Sequence, residues 1–220
     1  MTEPHRRPIR SFVIREGRMT PGQKRALEDA WPRYGLEVSD GQLALETLFT
    51  VSRPIICEIG FGMGDSLFEM AAQSLTKQAQ INYIGVEVHR PGVGHLLKLA
   101  QDADLDNLKV FAEDSIDVLT DCIPPKSLDG IQIFFPDPWH KKKHHKRRLI
   151  SDSFARLLES RLKSGGVLHI ATDWAHYAES IEETLSGWRK TSVPERVETK
   201  YERRGLGLDH KVFDLAYAAR

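Results

Sequence analysis

The stretch Ile55-Ile56-Cys57-Glu58-Ile59-Gly60-Phe61-Gly62-Met63-Gly64-Asp65 decides the fold. A short apolar run that ends in three alternating glycines is the pattern of a buried parallel strand feeding a helix through a tight turn. Ser66 to Gln78 follows with helical spacing of Leu67, Met70, Ala71 and Leu75. The same alternation continues downstream. Strands are predicted at Tyr83–Val86, Leu108–Phe111, Ile131–Phe135 and Val167–Ala171. Helices are predicted at Val93–Ala103, opened by Pro91, at Leu149–Leu162, stopped by Gly165-Gly166, and at Trp174–Leu185. Repeated βα units give an α/β, Rossmann-like, doubly wound and mostly parallel sheet. Two β-like segments, Arg196–Tyr201 and Lys211–Tyr217, have no helix between them and predict an antiparallel pair at one edge. Residues 1–50 carry weak periodicity and four prolines, and read as a basic arm with one or two short helices. The chemistry is expected in residues 51–220.

Ligands of such sheets sit at the carboxyl ends of the strands. There the sequence is acidic. Glu58 precedes the glycines Gly60, Gly62 and Gly64, Glu87 ends the second strand 29 positions later (87 − 58), and Glu113-Asp114 follow the third. A dinucleotide fingerprint would need glycine at position 65, where Asp65 stands, and a pyrophosphate would be repelled by Glu58 and Asp65. A nicotinamide-dependent oxidoreductase is therefore disfavoured. A cationic sulfonium nucleoside suits an acidic turn, with Glu87 accepting from the ribose hydroxyls and a carboxylate of Glu113-Asp114 from the adenine amino group. Asp114 also fits a helix N-cap.

The fourth strand runs into Phe135-Pro136-Asp137-Pro138-Trp139. Two prolines fix the backbone around Asp137, and Phe135 and Asp137 are expected to be extended. A rigid carboxylate beside a methyl donor meets the main demand of methyl transfer, alignment with suitable electrostatics. Trp139 is expected to stack on a base, and Asp137 to accept from a guanine edge. Guanine N7 bears no proton, so its attack requires no base; deprotonation of an amine or hydroxyl by Asp137 would imply another substrate, and residue chemistry leaves both open. A non-catalytic RNA-binding protein with a vestigial cofactor pocket is the alternative.

Net charge is zero, with 31 Lys+Arg against 31 Asp+Glu, so any attraction for a polyanion must come from segregation. His140 to Arg148 reads HKKKHHKRR without a carboxylate, and the first 25 residues add seven cations against Glu3 and Glu16. This predicts a phosphate-binding lip beside the reaction site. Zinc is not expected, because His144 and His145 are flanked by lysines and Cys57 and Cys122 lack ligand spacing. No apolar run reaches the roughly 20 residues of a membrane span. The basic start lacks the apolar core of a secretory signal, and a reducing cytoplasm fits the two cysteines. Asp173, after the fifth strand, is a further carboxyl-end acid or a helix cap.

These residues resemble the bacterial tRNA (guanine-N7-)-methyltransferases over roughly residues 54–217. The resemblance rests on EIGFGMG (58–64), GVEVH (85–89), FFPDPW (134–139), KRR (146–148), ATDW (171–174), TKYE (199–202) and Asp214-Leu215. It implies a seven-stranded sheet with an antiparallel edge strand, S-adenosylmethionine contacted by Glu58, Glu87, Asp114 and Asp137, and Asp137 as the catalytic carboxylate. It further implies a tRNA substrate methylated at guanosine-46 of the variable loop and contacted by Lys141, Asp173, Thr199, Lys200, Tyr201 and Glu202. Monomers and homodimers both occur among such enzymes. Lys143 stands where the family often has Arg, which removes a bidentate fork for phosphate, and Tyr201 stands where Phe is common.

Overall fold

The computed structural model describes residues 11–12, 17–199, 202 and 211–220. Its elements are α1 (Pro21–Asp29), α2 (Trp31–Tyr34), β1 (Gly35–Leu36), α3 (Leu45–Leu48), β2 (Ile55–Ile59), α4 (Asp65–Leu75), β3 (Asn82–Val86), α5 (Arg90–Asp102), β4 (Leu108–Phe111), α6 (Ser115–Asp117), β5 (Leu128–Phe134), α7 (Asp152–Arg161), β6 (Leu162–Thr172), α8 (Ala175–Thr184), β7 (Arg189–Lys190) and β8 (Phe213–Ala218). The sheet order is β1-β4-β3-β2-β5-β6-β8-β7. All pairings from β1 to β6 are parallel, and β8 runs antiparallel to both β6 and β7. From β2 the chain winds outward through β3 and β4, then returns to place β5 on the other side. The crevice that opens where the winding reverses lies at the carboxyl ends of β2 and β5.

Both faces of the sheet are covered, which is why its central strands are mostly apolar, with Glu58 and Gln132 as buried exceptions in β2 and β5. One face packs Ile59, Ile133, Leu168 and Ile170 against Phe154 and Leu158 of α7 and Ile181 of α8. The other packs Tyr83 and Val110 against Leu67 of α4 and Leu96 and Leu97 of α5. Ala26, Ala30 and Tyr34 extend this second cluster, and the Tyr34 hydroxyl donates to Ala100 O at 3.0 Å. Gly94 permits that docking, because a Cβ there would lie 2.6 Å from Gln23 O. Beyond the expected short helices, the first 50 residues thus add β1 to the sheet edge.

Three details depart from the sequence reading. The sheet has eight strands rather than seven, since two-residue strands β1 and β7 close its edges. The outer antiparallel partner of the last strand is Arg189–Lys190, and residues 191–199 form no strand. Pro194 has no ladder donor, and Arg196 spends its side chain on ion pairs instead. Helix α7 starts at Asp152 rather than Leu149, because the Ser151 hydroxyl caps it on Phe154 N, and Gly165-Gly166 fall inside β6, which begins where Leu162 pairs with Leu128 of β5.

Candidate cofactor and reaction site

The turn after β2 is built from left-handed glycines, with φ of 78° at Gly60, 61° at Gly62 and 80° at Gly64. Only glycine adopts these angles without strain. A Cβ on Gly60 would meet nothing within 4 Å, so that backbone faces open space. Glu87 ties the turn to the end of β3: its Oε2 accepts from Gly62 N at 2.7 Å, and its Oε1 accepts from Val88 N and His89 N at 2.8 and 2.9 Å. Above the turn lies a cavity of about 480 Å³ whose lining includes Glu58, Gly60, Gly62, Gly64, Glu87, Glu113, Asp137 and Thr199. Ser11 and Phe12 line it from the N-terminal side.

Glu58 is 2% exposed, and its carboxylate accepts from Gln132 Nε2 at 2.7 Å. Burial pushes its pKa up to about 7, opposed by the Gln132 amide and reinforced by Glu87. A buried acid whose partner is an amide rather than a cation, beside bare glycine backbone, fits a positively charged nucleoside cofactor. S-Adenosylmethionine is such a group, and Glu58, Glu87 and the glycine turn are the residues of this cavity that could hold it.

The turn after β5 places Asp137 exposed at the cavity wall. Its backbone differs from expectation. Phe135 is left-handed, with φ 52°, and Trp139 has φ 48°. Phe135 N still donates to Ala171 O at 2.8 Å, so the chain pairs with β6 up to that residue and must then bend at once. Aromatic residues at positive φ are strained, and such strain concentrates at functional turns. Trp139 is committed elsewhere than to a free stacking face. Its Nε1 donates to Ser11 O at 3.1 Å, and the Arg147 guanidinium lies 5.1 Å from its ring centroid. The exposed indole is Trp174, edge-on to His140 at 4.2 Å.

Other residues singled out from sequence fall outside the cavity lining. Asp114 caps α6, its Oδ1 accepting from Ile116 N at 3.0 Å, while its neighbours Glu113 and Ser115 line the space. Lys141 is exposed on the basic loop, and Asp173 is half-buried just past β6. Glu202 pairs with Arg196. Lys200 and Tyr201 lie outside the described residues. Within the basic run, Lys141, Lys142 and Lys143 face solvent, but Arg148 is buried, donating to Pro138 O at 3.0 Å and covering Tyr177 at 4.7 Å. Sequence reasoning passed over Gln132 and Arg196, and it counted Arg148 in the phosphate-binding run, where the structure instead buries it. A lone amide inside Ile131-Gln132-Ile133 was the visible signal for the first. Arg196 sits between Asp214 and Glu202; burial alone would push the Asp214 carboxyl up, but His169 and Arg196 hold it well below the usual carboxylate range. Among the described residues, no group of three or more metal-ligating side chains and no helix long and apolar enough to cross a membrane occur.

The chain matches, over residues 52–215, a family model described as "Putative methyltransferase". It is 49% identical to the tRNA (guanine-N(7)-)-methyltransferase of Idiomarina loihiensis, covering 96% of this chain and 89% of that one. It is 47% identical to the enzyme of the same name from Halorhodospira halophila, covering 100% and 98%. The fold is similar to the 16S rRNA methyltransferase KamB (TM-score 0.58, 13% identity, 80% of this chain and 92% of that). A 16S rRNA (adenine(1408)-N(1))-methyltransferase from Catenulisporales acidiphilia gives a TM-score of 0.55 at 14% identity, over 84% and 94%.

Proposed function

Because the chain belongs to the tRNA (guanine-N(7)-)-methyltransferase family, we propose that it methylates N7 of a guanosine in tRNA from S-adenosylmethionine, at guanosine-46 of the variable loop. The observation that carries the site assignment is the convergence of Glu58, Glu87 and Asp137 on one cavity at the point where the sheet's winding reverses.

Bound S-adenosylmethionine supplies an electrophilic methyl group on a sulfonium. Glu58, Glu87 and the glycine turn would hold the cofactor, Glu87 through its ribose hydroxyls, and Asp114 or its neighbour Glu113 would accept from its adenine amino group. Asp137, fixed between two prolines, accepts from the N1 and N2 edge of the guanine and so aims N7 at the methyl. N7 carries no proton, so Asp137 abstracts none; its charge opposes the positive charge that grows on the purine. Lys141 with Lys142 and Lys143 grips phosphates beside the turn. Asp173 and the Thr199–Glu202 segment complete the substrate contacts. We assign the enzyme to the cytoplasm, acting as a monomer or homodimer.

The test is incubation with methyl-labelled cofactor and unmodified tRNA, followed by mapping of the modified nucleotide. Label at guanine N7 of the variable loop is expected. A folded protein that transfers no label to tRNA would overturn the proposal, and label at a different guanosine would overturn the position.

A further inference from the structure

Arg196 is 8% exposed at its side chain, yet it makes contacts in every direction a guanidinium offers. Its Nε and Nη2 donate to the two Asp214 oxygens at 2.9 and 2.8 Å. Nη2 also donates to Glu202 Oε1 at 2.9 Å, and Nη1 to Glu202 Oε2. The flat face of the cation lies 5.2 Å from the Phe134 ring centroid and 5.9 Å from that of Phe135. Behind it, His169 bonds Asp214 at 2.9 Å and meets the Phe134 ring edge-on at 5.0 Å.

Two parts of the site meet at this one side chain. Glu202 and Thr199 bond each other reciprocally: Thr199 N donates to Glu202 Oε2 at 3.3 Å, and Glu202 N donates to Thr199 Oγ1 at 3.1 Å. Thr199 lines the cofactor cavity. Phe135, on the other side, is the left-handed residue two positions before Asp137. We propose that Arg196 is a positioning residue: it locks Glu202, and through it Thr199, to the Phe135–Asp137 turn, so that tRNA contact and the catalytic carboxylate share one fixed geometry. The idea rests on the function proposed above. Arginine is required for it, because only a planar fork binds two carboxylates in plane while stacking on rings; lysine presents a point charge.

Arg196→Lys, Glu202→Gln and the double variant test it, by single-turnover methylation of tRNA with cofactor affinity measured separately by calorimetry. Both single variants should lose rate on the order of 100-fold, as misplacement of a catalytic group does, with cofactor affinity unchanged. The double variant should lose no more than the worse single, since both break the same link. Wild-type rate in Arg196→Lys, losses that multiply in the double variant, or cofactor affinity that falls in step with rate would each overturn the clamp. Should Arg196→Lys not fold, Asp214→Asn carries the same expectation, because it loosens one fork of the same cation. Hydrogen exchange reads the clamp without turnover. The Phe135 amide should exchange faster in the variants while Gly60, bonded to Val86 O at 2.8 Å, does not change. A wild type that methylates no tRNA would count against the proposed function, and the clamp would then stand or fall on the exchange result.

Discussion

Gln132 donates its side-chain amide to the Glu58 carboxylate at 2.7 Å, from the neighbouring parallel strand at the same register. The pair fixes the acid's direction without neutralising it. Burial therefore wins, and Glu58 titrates near 7.

The sign of the consequence follows from linkage. An acid whose folded pKa is raised binds its proton more tightly folded than unfolded. Its contribution to stability is thus best below the unfolded carboxylate value and deteriorates as pH rises through about 7. Glu58→Gln removes this term while keeping an amide-to-amide bond to Gln132. We expect the cofactor-free variant to match the wild type near pH 4.5 and exceed it at pH 8 by on the order of 1–3 kcal/mol. Urea titrations at the two pH values measure it. A stability difference that does not change with pH would show that Glu58 is not the group responsible.

Gly92 stands in the first turn of α5, where a Cβ would come within 1.8 Å of Gly62 O. That atom is backbone, so it cannot swing aside, and the glycine turn would have to move. Gly92→Ala should weaken S-adenosylmethionine binding at least tenfold by calorimetry, with a stability loss of about 1–3 kcal/mol typical of overpacking. Gly165→Ala is the control. Its φ of 76° makes alanine strained, but nothing lies within 4 Å and the site is remote, so cofactor affinity should not change while stability falls by about 1–2 kcal/mol. Equal cofactor affinities in the two variants would contradict this account of the turn.

The features that sequence made legible are those with local causes. Period, glycine and proline located β2, its turn and the Phe135–Trp139 segment, and strand ends located Glu58, Glu87 and Asp137. What escaped depends on distant partners. Gln132 meets Glu58 across 74 positions, and Trp139 is capped by Ser11 across 128. The edge strands β1 and β7 are two residues long, too short to show any period. Asp114 had the right chemistry and the right strand, but its neighbours Glu113 and Ser115 occupy the lining, because the helix it caps turns its carboxylate onto Ile116 N. Phe135 was expected to be extended from proline's local effect, whereas the chain turns left-handed there directly after its last ladder bond, to Ala171 O, a bend set by where the sheet ends and not by proline alone.

Asp137 is exposed on a turn held by two prolines, so its substitution should spare the fold. Asp137→Asn keeps the shape and removes the charge. Turnover should fall by on the order of 10²–10³, the loss seen when a preorganised electrostatic group is removed, with thermal midpoint unchanged. Comparison of Asp137→Asn with Asp137→Ala separates charge from hydrogen bonding: if charge dominates, both are equally poor. An active Asp137→Ala would remove Asp137 from the chemistry altogether.

The basic run divides into two physical classes, and salt separates them. Lys141, Lys142 and Lys143 are exposed and free to release counterions on meeting phosphate, whereas Arg148 is buried with its Nε on Pro138 O and its charge over Tyr177. Burial pushes its pKa down, as expected for a cation used inside the protein. Replacing the three lysines by alanine should flatten the log–log dependence of tRNA affinity on salt by about 0.7 to 0.9 per lost contact. Arg148→Lys should leave that slope alone and instead lower the thermal midpoint, because lysine cannot make the Pro138 bond in the same plane. Filter binding across a salt series, paired with melting curves, reads both. If the slope changes in Arg148→Lys and holds in the triple lysine variant, the RNA-facing and structural members of the run have been exchanged, and the lip must be sought elsewhere on the rim of the cavity.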